Sequence, residues 1–147
     1  MNLYYTTNIA NFVESIKSDC LETSFNIDYR AAVPLTFDIE YIRPWVGPYG
    51  FVRIHIKRKL LGKNYEIFYQ KSGRNYDYNS VYVLTDIQNI LEYISSVEIY
   101  YARNSEDLGE NDIDSLISLN FDIIPQLRGM GIDVVQHEAP AKGARTA

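Results

Sequence analysis

The chain has 147 residues, enough for one domain with a sizeable core, and 46% of them are hydrophobic. A net charge of −5 argues against a general nucleic-acid binder, whose surface would need the opposite sign. The only cysteine, Cys20, cannot form an internal disulfide, and the average composition means that neither a disulfide nor a metal is required for folding.

The first predicted element is a helix that begins after Thr7 or Asn8, either of which can cap it, and runs to about Leu21. Its apolar residues recur at helical spacing, at Ile9, Phe12, Ile16 and Cys20. Strands are then predicted wherever apolar and polar side chains alternate, at residues 25–29, 35–42, 51–59, 65–69 and 81–83.

Helical patterns dominate the second half of the chain. Thr85 or Asp86 can cap a second helix, whose apolar face would hold Ile87, Ile90, Leu91 and Ile94. A strand at 97–101, helices at 112–119 and 122–128, and a last strand at 132–135 follow. Several strands have one apolar and one polar side. The sequence therefore predicts an α+β fold, with a mostly antiparallel sheet of about four to six strands and helices packed on one face.

The composition changes near the C-terminus. Residues 138–147 contain four of the eight alanines and no large apolar side chain, so we expect one domain over 1–137 and a flexible tail over 138–147. No stretch approaches the roughly 20 apolar residues that span a bilayer, and residues 1–11 carry no positive charge typical of a signal peptide. We expect a cytoplasmic protein, of the producing cell or of a virus-infected host, without a membrane partner.

A basic stripe is predicted on the strand at 51–59. Because side chains alternate along a strand, one face should carry Arg53, His55, Lys57 and Lys59. Together with Phe68 on the next strand, this face could stack single-stranded nucleic acid. The favoured interpretation is a solvated surface paired with Asp38 and Glu40, a contact for an acidic protein comes second, and nucleic acid is the least favoured.

Acidic residues dominate the C-terminal half of the sequence. Residues 86–138 contain eleven carboxylates and two arginines, and five of the acids fall between 106 and 114. Their spacing does not fit a calcium loop. They are interpreted either as a solvated loop that favours the N-terminus of the next helix or as a docking surface for a basic partner.

Aromatic residues in predicted loops complete the candidate surface for a partner. Tyr, Trp and Arg are the residue types enriched at the energetic centres of protein interfaces. Trp45 and Tyr49 lie in a turn rich in Pro and Gly, which would order that loop before binding. The predicted partner-binding residues are Trp45, Tyr49, Arg74, Tyr76, Tyr78, Glu106, Asp107, Glu110 and Asp112.

Groups for catalysis are scarce. Two separate histidines and one cysteine exclude most zinc arrangements. His55 is interpreted as a surface residue, His137 as the beginning of the tail, and Cys20 as an inert buried thiol. We therefore predict no enzymatic activity, no catalytic residue, no metal and no cofactor.

The sequence favours a non-catalytic protein that binds another protein and acts by occluding it, such as an immunity protein or a phage-encoded inhibitor. One alternative is a structural subunit of a phage or other macromolecular assembly. A second alternative is an unrecognised enzyme or a binder of single-stranded nucleic acid. A homo-oligomer is compatible with each of these.

Overall fold

The structure is a computed structural model that describes residues 3–37, 50–71, 79–101 and 110–138. Its strands are β1 (Leu3–Thr7), β2 (Cys20–Leu21), β3 (Phe25–Ile27), β4 (Arg30–Thr36), β5 (Gly50–Ile56), β6 (Ile67–Lys71), β7 (Asn79–Val83), β8 (Ile87–Gln88), β9 (Ile94–Tyr101) and β10 (Asp133–Glu138). Its helices are α1 (Ile9–Ser18), α2 (Glu110–Ser118), a π-helical segment (Leu119–Ile123) and α3 (Ile124–Gly129), with 3₁₀ turns at Arg58–Gly62 and Ile90–Tyr93.

Eight strands form the main sheet, in which seven follow the order β10-β9-β5-β1-β4-β7-β6 and β3 pairs with β4. Every pair in it is antiparallel except β10 with β9, and a separate small sheet joins β2 to β8. The predicted α+β class agrees with this mixed architecture. The predicted number of about four to six strands was too low, and one strand that was missed is Leu3–Thr7, which alternates too briefly before the helix cap to be recognised.

Within the described ranges, helices pack on one face of the sheet and none packs on the other. Alternate residues of the central strands point into the core, as the two-residue period of a strand requires, so Val52, Ile54 and Ile56 are fully buried. Phe12, Ile16, Leu119 and Leu127 from the helices complete the same core. The opposite face, here called the open face, carries the intervening residues, which include Phe51, Arg53 and His55.

Helix α1 confirms the predicted N-terminal helix. The Asn8 side chain accepts a hydrogen bond from the Asn11 amide at 2.7 Å, which is the interaction of an N-cap. The helix ends earlier than predicted, because Asp19 adopts a left-handed conformation with φ of 53°. Cys20 therefore lies in β2 rather than on the helix, although it is buried as expected.

The second predicted helix, from residue 85 to about 94, is wrong. Its apolar residues are distributed over β8, a 3₁₀ turn and the start of β9. Asn89 has φ of 56°, which a continuous right-handed helix cannot accommodate. The Asp19 carboxylate accepts a hydrogen bond from the Leu91 amide at 2.8 Å, so a distant residue stabilises the turn. Ile87, Ile90 and Ile94 are nevertheless buried, because turns and strands can bury the same positions.

The two helices predicted near the C-terminus are joined through the π-helical segment. Pro125 lies one residue after the start of α3, where it cannot donate a backbone hydrogen bond and its ring crowds the preceding turn. A wider π turn before a proline relieves this crowding, and the Ile124 amide donates to the Leu119 carbonyl across it. Leu119, Ile123 and Leu127 remain in the core throughout.

Replacing a residue in the middle of the core tests which side chains belong to the core. Ile54→Ala should lower the free energy of unfolding by about 2–5 kcal/mol, because the side chain is fully buried and leaves a cavity. Ile117→Ala is the matched control, since Ile117 is 51% exposed and should change stability by less than about 0.5 kcal/mol. Urea unfolding at neutral pH measures the free energy of unfolding of both variants. Equal losses of that free energy in the two would contradict the assignment of the core.

Candidate functional site

Most of the predicted partner-binding residues lie outside the described part of the chain. These are Trp45, Tyr49, Arg74, Tyr76, Tyr78, Glu106 and Asp107. Glu110 and Asp112 lie in the first turn of α2, where only the backbone is described. Asp38 and Glu40 also lie outside the described ranges. The predicted site therefore stays a prediction, and the described residues contain two other surfaces.

The predicted basic stripe does not form one face. Strand β5 ends at Ile56, and a 3₁₀ turn follows from Arg58, so Lys57 and Lys59 leave the sheet. Arg53 and His55 do share the open face, but their side chains are only 9% and 15% exposed. The interpretation of His55 as a surface residue is therefore wrong.

Phe68 also lies far from Arg53. Four strand spacings separate β6 from β5 in the sheet, which is roughly 19 Å. Phe68 instead contacts Tyr82, with ring centroids 6.3 Å apart, and Tyr82 stacks on Phe25 at 5.5 Å. The predicted nucleic-acid platform of Phe68 beside a basic strand is therefore not assembled.

Strand register brings five polar side chains together on the open face, a group named here the Glu98 cluster: Arg53, His55, Glu98, Tyr100 and His137. Arg53 of β5 lies opposite Glu98 of β9. Two residues further along β9, Tyr100 lies opposite Phe51 of β5 on one side and His137 of β10 on the other. His137 is in β10, so it belongs to the sheet rather than to the start of a tail.

The Glu98 carboxylate is the centre of this cluster. Its Oε1 atom lies 2.5 Å from His55 Nε2, and its Oε2 atom accepts a hydrogen bond from the Tyr100 hydroxyl at 2.6 Å. Arg53 Nη1 and His137 Nε2 approach Oε2 at 4.0 and 3.9 Å. Because an ionised carboxylate only accepts hydrogen bonds, His55 carries a proton on Nε2.

These contacts alter the ionisation of two groups. Burial disfavours the charged form of Glu98, but hydrogen bonds from Tyr100 and His55 and the charge of Arg53 outweigh it and lower its pKa. Burial and the hydrogen bond to Glu98 raise the pKa of Tyr100 to about 12. Glu98 is therefore a carboxylate and Tyr100 a neutral donor across the physiological pH range.

Stacked rings line one side of the Glu98 cluster. The Phe51 and Tyr100 rings are 4.5 Å apart and nearly parallel, and Tyr100 and His137 continue the stack at 4.6 Å. Tyr4 meets His55 edge to face at 4.9 Å. Each imidazole thus has one aromatic neighbour, and the His137 side chain is 40% exposed, compared with 15% for His55.

A second surface lies on the outer side of the helical layer. Ile113, Ile117 and Phe121 are 47%, 51% and 75% exposed. Residues four apart lie on one side of a helix, so the three form a continuous apolar stripe, named here the outer stripe. The π-helical segment carries Phe121, and such segments occur often at functional sites.

Charged residues of both signs lie near the outer stripe, and they include Lys17 of α1, whose Nζ atom donates a hydrogen bond to Ser118 Oγ at 3.5 Å. Residues 110–129 contain four acids and one base, Arg128. Asp114 and Asp122, each adjacent in sequence to a stripe residue, are exposed. The stripe was missed because the sequence reasoning sought the buried face of each helix, although the four-residue spacing of the three apolar residues was visible.

Comparison with protein-family models, with curated proteins and with solved structures finds no match. In the described ranges, no group of three or more His, Cys, Asp or Glu side chains is arranged to hold a metal ion. Among the helices of those same ranges, none is long and apolar enough to cross a membrane.

The Glu98 cluster predicts a pH-dependent contribution to stability. The pKa of Glu98 is lower in the folded chain, so its stabilising effect is present above the ordinary glutamate value of about 4.3 and is lost as pH falls below it. Glu98→Gln should therefore flatten the fall in unfolding free energy between about pH 5 and 3. At pH 7 it should destabilise the fold by at least about 1 kcal/mol, because Arg53 loses its counter-charge.

Glu66→Gln is the matched control for this measurement. Glu66 also pairs with an arginine, Arg30, but both side chains are about half exposed or more, so solvent screens the pair. Urea unfolding at a series of pH values should show the smaller change for the control. An equal or larger change in the Glu66 variant would contradict the role of the cluster.

Proposed function

We propose that this protein acts by binding another protein, without catalysing a reaction, and that the outer stripe is its contact surface. The observation that carries the proposal is the exposure of Ile113 and Ile117 in α2 and of Phe121 in the π-helical segment that follows, at four-residue spacing. Exposed apolar side chains grouped in this way are typical of protein interaction sites. A groove of a partner that accepts a helix would contact residues at this spacing.

The size of the apolar side chains supports an energetic role. Fully burying one side chain of the size of Ile or Phe contributes about 1.5–3 kcal/mol. Phe121 is the largest of the three and the most exposed, so it has the most surface to lose on binding. It is therefore the anchor of the proposed contact, in the way that aromatic residues dominate other interfaces.

The charge around the stripe specifies the partner. With Asp114 and Asp122 exposed beside the stripe, a partner surface that has apolar side chains flanked by Lys or Arg would be complementary. The predicted acidic residues Glu106, Asp107, Glu110 and Asp112 precede or begin the same helix in sequence and would add to the attraction. The protein would thus occlude a basic surface, as an immunity protein or a phage-encoded inhibitor does, and the cytoplasm is its proposed compartment.

Affinity capture with matched variants tests the anchor. Lysate of the native host is treated with nuclease and passed over wild-type protein, Phe121→Ala, and Val135→Ala. The control residue Val135 is 45% exposed but lies on β10, on the open face. A partner that binds the outer stripe should bind the Phe121 variant at least about 2 kcal/mol more weakly, close to thirtyfold in Kd, and should bind the control normally.

The proposal fails if no protein is retained in stoichiometric amount. It also fails if the retained protein binds the Phe121 variant as tightly as the wild type. Retention of nucleic acid alone would favour the second alternative, and large self-assembled species that persist in the Phe121 variant would favour a structural subunit.

The acidic residues should act mainly on the rate of association. Asp114→Asn together with Asp122→Asn should slow association with a basic partner and reduce its dependence on salt, because long-range attraction guides the encounter. Asp133→Asn on the open face is the charge control. Association rates are measured at several salt concentrations for the double variant and for the Asp133 control. An identical salt dependence in these two proteins would exclude a basic partner at the stripe.

A further inference from the structure

One nitrogen of the buried Arg53 guanidinium has no hydrogen-bond partner among the described residues. The side chain is 91% buried, since only 9% of it is exposed, and the unpaired atom is Nε. Within the described ranges the Glu98 carboxylate is 4.0 Å from Nη1, which is an ion pair but not a hydrogen bond. Buried polar atoms are almost always paired, so this one requires an explanation.

Glu98 accepts hydrogen bonds from His55 and Tyr100, but its Oε2 atom stays 4.0 Å from Arg53 Nη1, which is beyond hydrogen-bonding distance. Arginine has five N–H donors and no acceptor, and the His137 ring lies at the exposed edge of the cluster. The Nε donor of Arg53 is therefore without an acceptor among the described residues. A ligand that only accepts hydrogen bonds would supply one.

We propose that the Glu98 cluster is a binding site for a small oxyanion, the carboxylate or phosphoryl group of a ligand, held by Arg53 and His137. A planar guanidinium matches such groups through two parallel hydrogen bonds, and Nε supplies one of the two donors. The approach is past His137, whose side chain is 40% exposed on the outermost strand. The site is separate from the outer stripe and does not depend on the proposed function.

The charged and hydrogen-bonding groups that face the site are Arg53 and His55 on β5, Glu98 and Tyr100 on β9, His137 on β10 and the nearby Tyr4 on β1. Arg53 and Glu98 have opposite charges, and Tyr100 stays neutral near pH 7 because its pKa is raised to about 12.

The two histidines of the chain are both in this cluster, so their nuclear magnetic resonance signals report on the site alone. Sodium phosphate and, separately, sodium acetate are titrated into the protein at pH 6.5 with ionic strength kept constant by chloride. At least one of the two anions should shift both imidazole signals saturably, with a Kd on the order of 1–10 mM or tighter. The anion that binds identifies the group.

Arg53→Lys keeps the charge but removes Nε, and it should weaken binding by roughly tenfold or more. His137→Gln removes only the exposed donor and leaves His55 as a reporter, so it tests the site even if the Arg53 variant fails to fold; it should weaken binding by roughly threefold or more. Arg58→Lys, on the 3₁₀ turn after β5, is the matched control and should bind as the wild type does. The proposal is overturned if neither anion shifts the imidazole signals, or if His137→Gln and Arg58→Lys bind equally well.

Discussion

The pairing of β5 with β9 is the constraint on which the other features depend. Because side chains alternate along both strands, the register that buries Ile54 beside Val97 also places Arg53 opposite Glu98 on the open face. A shift by one residue would expose the core and bury the charges under the helices. Hydrophobic burial on one face therefore fixes the geometry of the polar cluster on the other. Strand β10 pairs in parallel with β9 and continues both faces of the sheet. It adds Val134 to the core and places His137 beside Tyr100 on the open face.

The two surfaces differ in how they are constructed. The Glu98 cluster lies on β5, β9 and β10, where hydrogen bonds from His55 and Tyr100 to one carboxylate and the stacking of Tyr100 on Phe51 hold side chains in position. The outer stripe lies on α2 and the π-helical segment, whose buried side is anchored by Leu119 and Ile123, so its outer side chains are exposed without weakening the core. The first arrangement suits recognition of a small group with fixed geometry, and the second suits contact with a larger apolar surface.

Local patterns in the sequence predicted part of this fold. The capping residue Asn8 and the spacing of Ile9, Phe12 and Ile16 were sufficient for α1, and alternation was sufficient for β5. The residues after Thr85 show the limit, because apolar residues three and four apart also fit a strand and a 3₁₀ turn that a distant carboxylate, Asp19, stabilises. Burial of Arg53 and His55 could not be predicted, since it depends on pairing with a strand some 45 positions later. The Glu98 cluster could not be predicted either, because its members come from three strands that only the folded sheet brings together.

The central claim is that the protein works by placing the outer stripe against a basic partner. Hydrogen–deuterium exchange of the protein, alone and with its captured partner, tests this directly. The account predicts that slowed exchange on binding is concentrated in residues 113–123, because contact there orders the backbone around the π-helical segment and excludes water. Unchanged exchange in this segment, with protection confined to the sheet strands or to the loops, would contradict it.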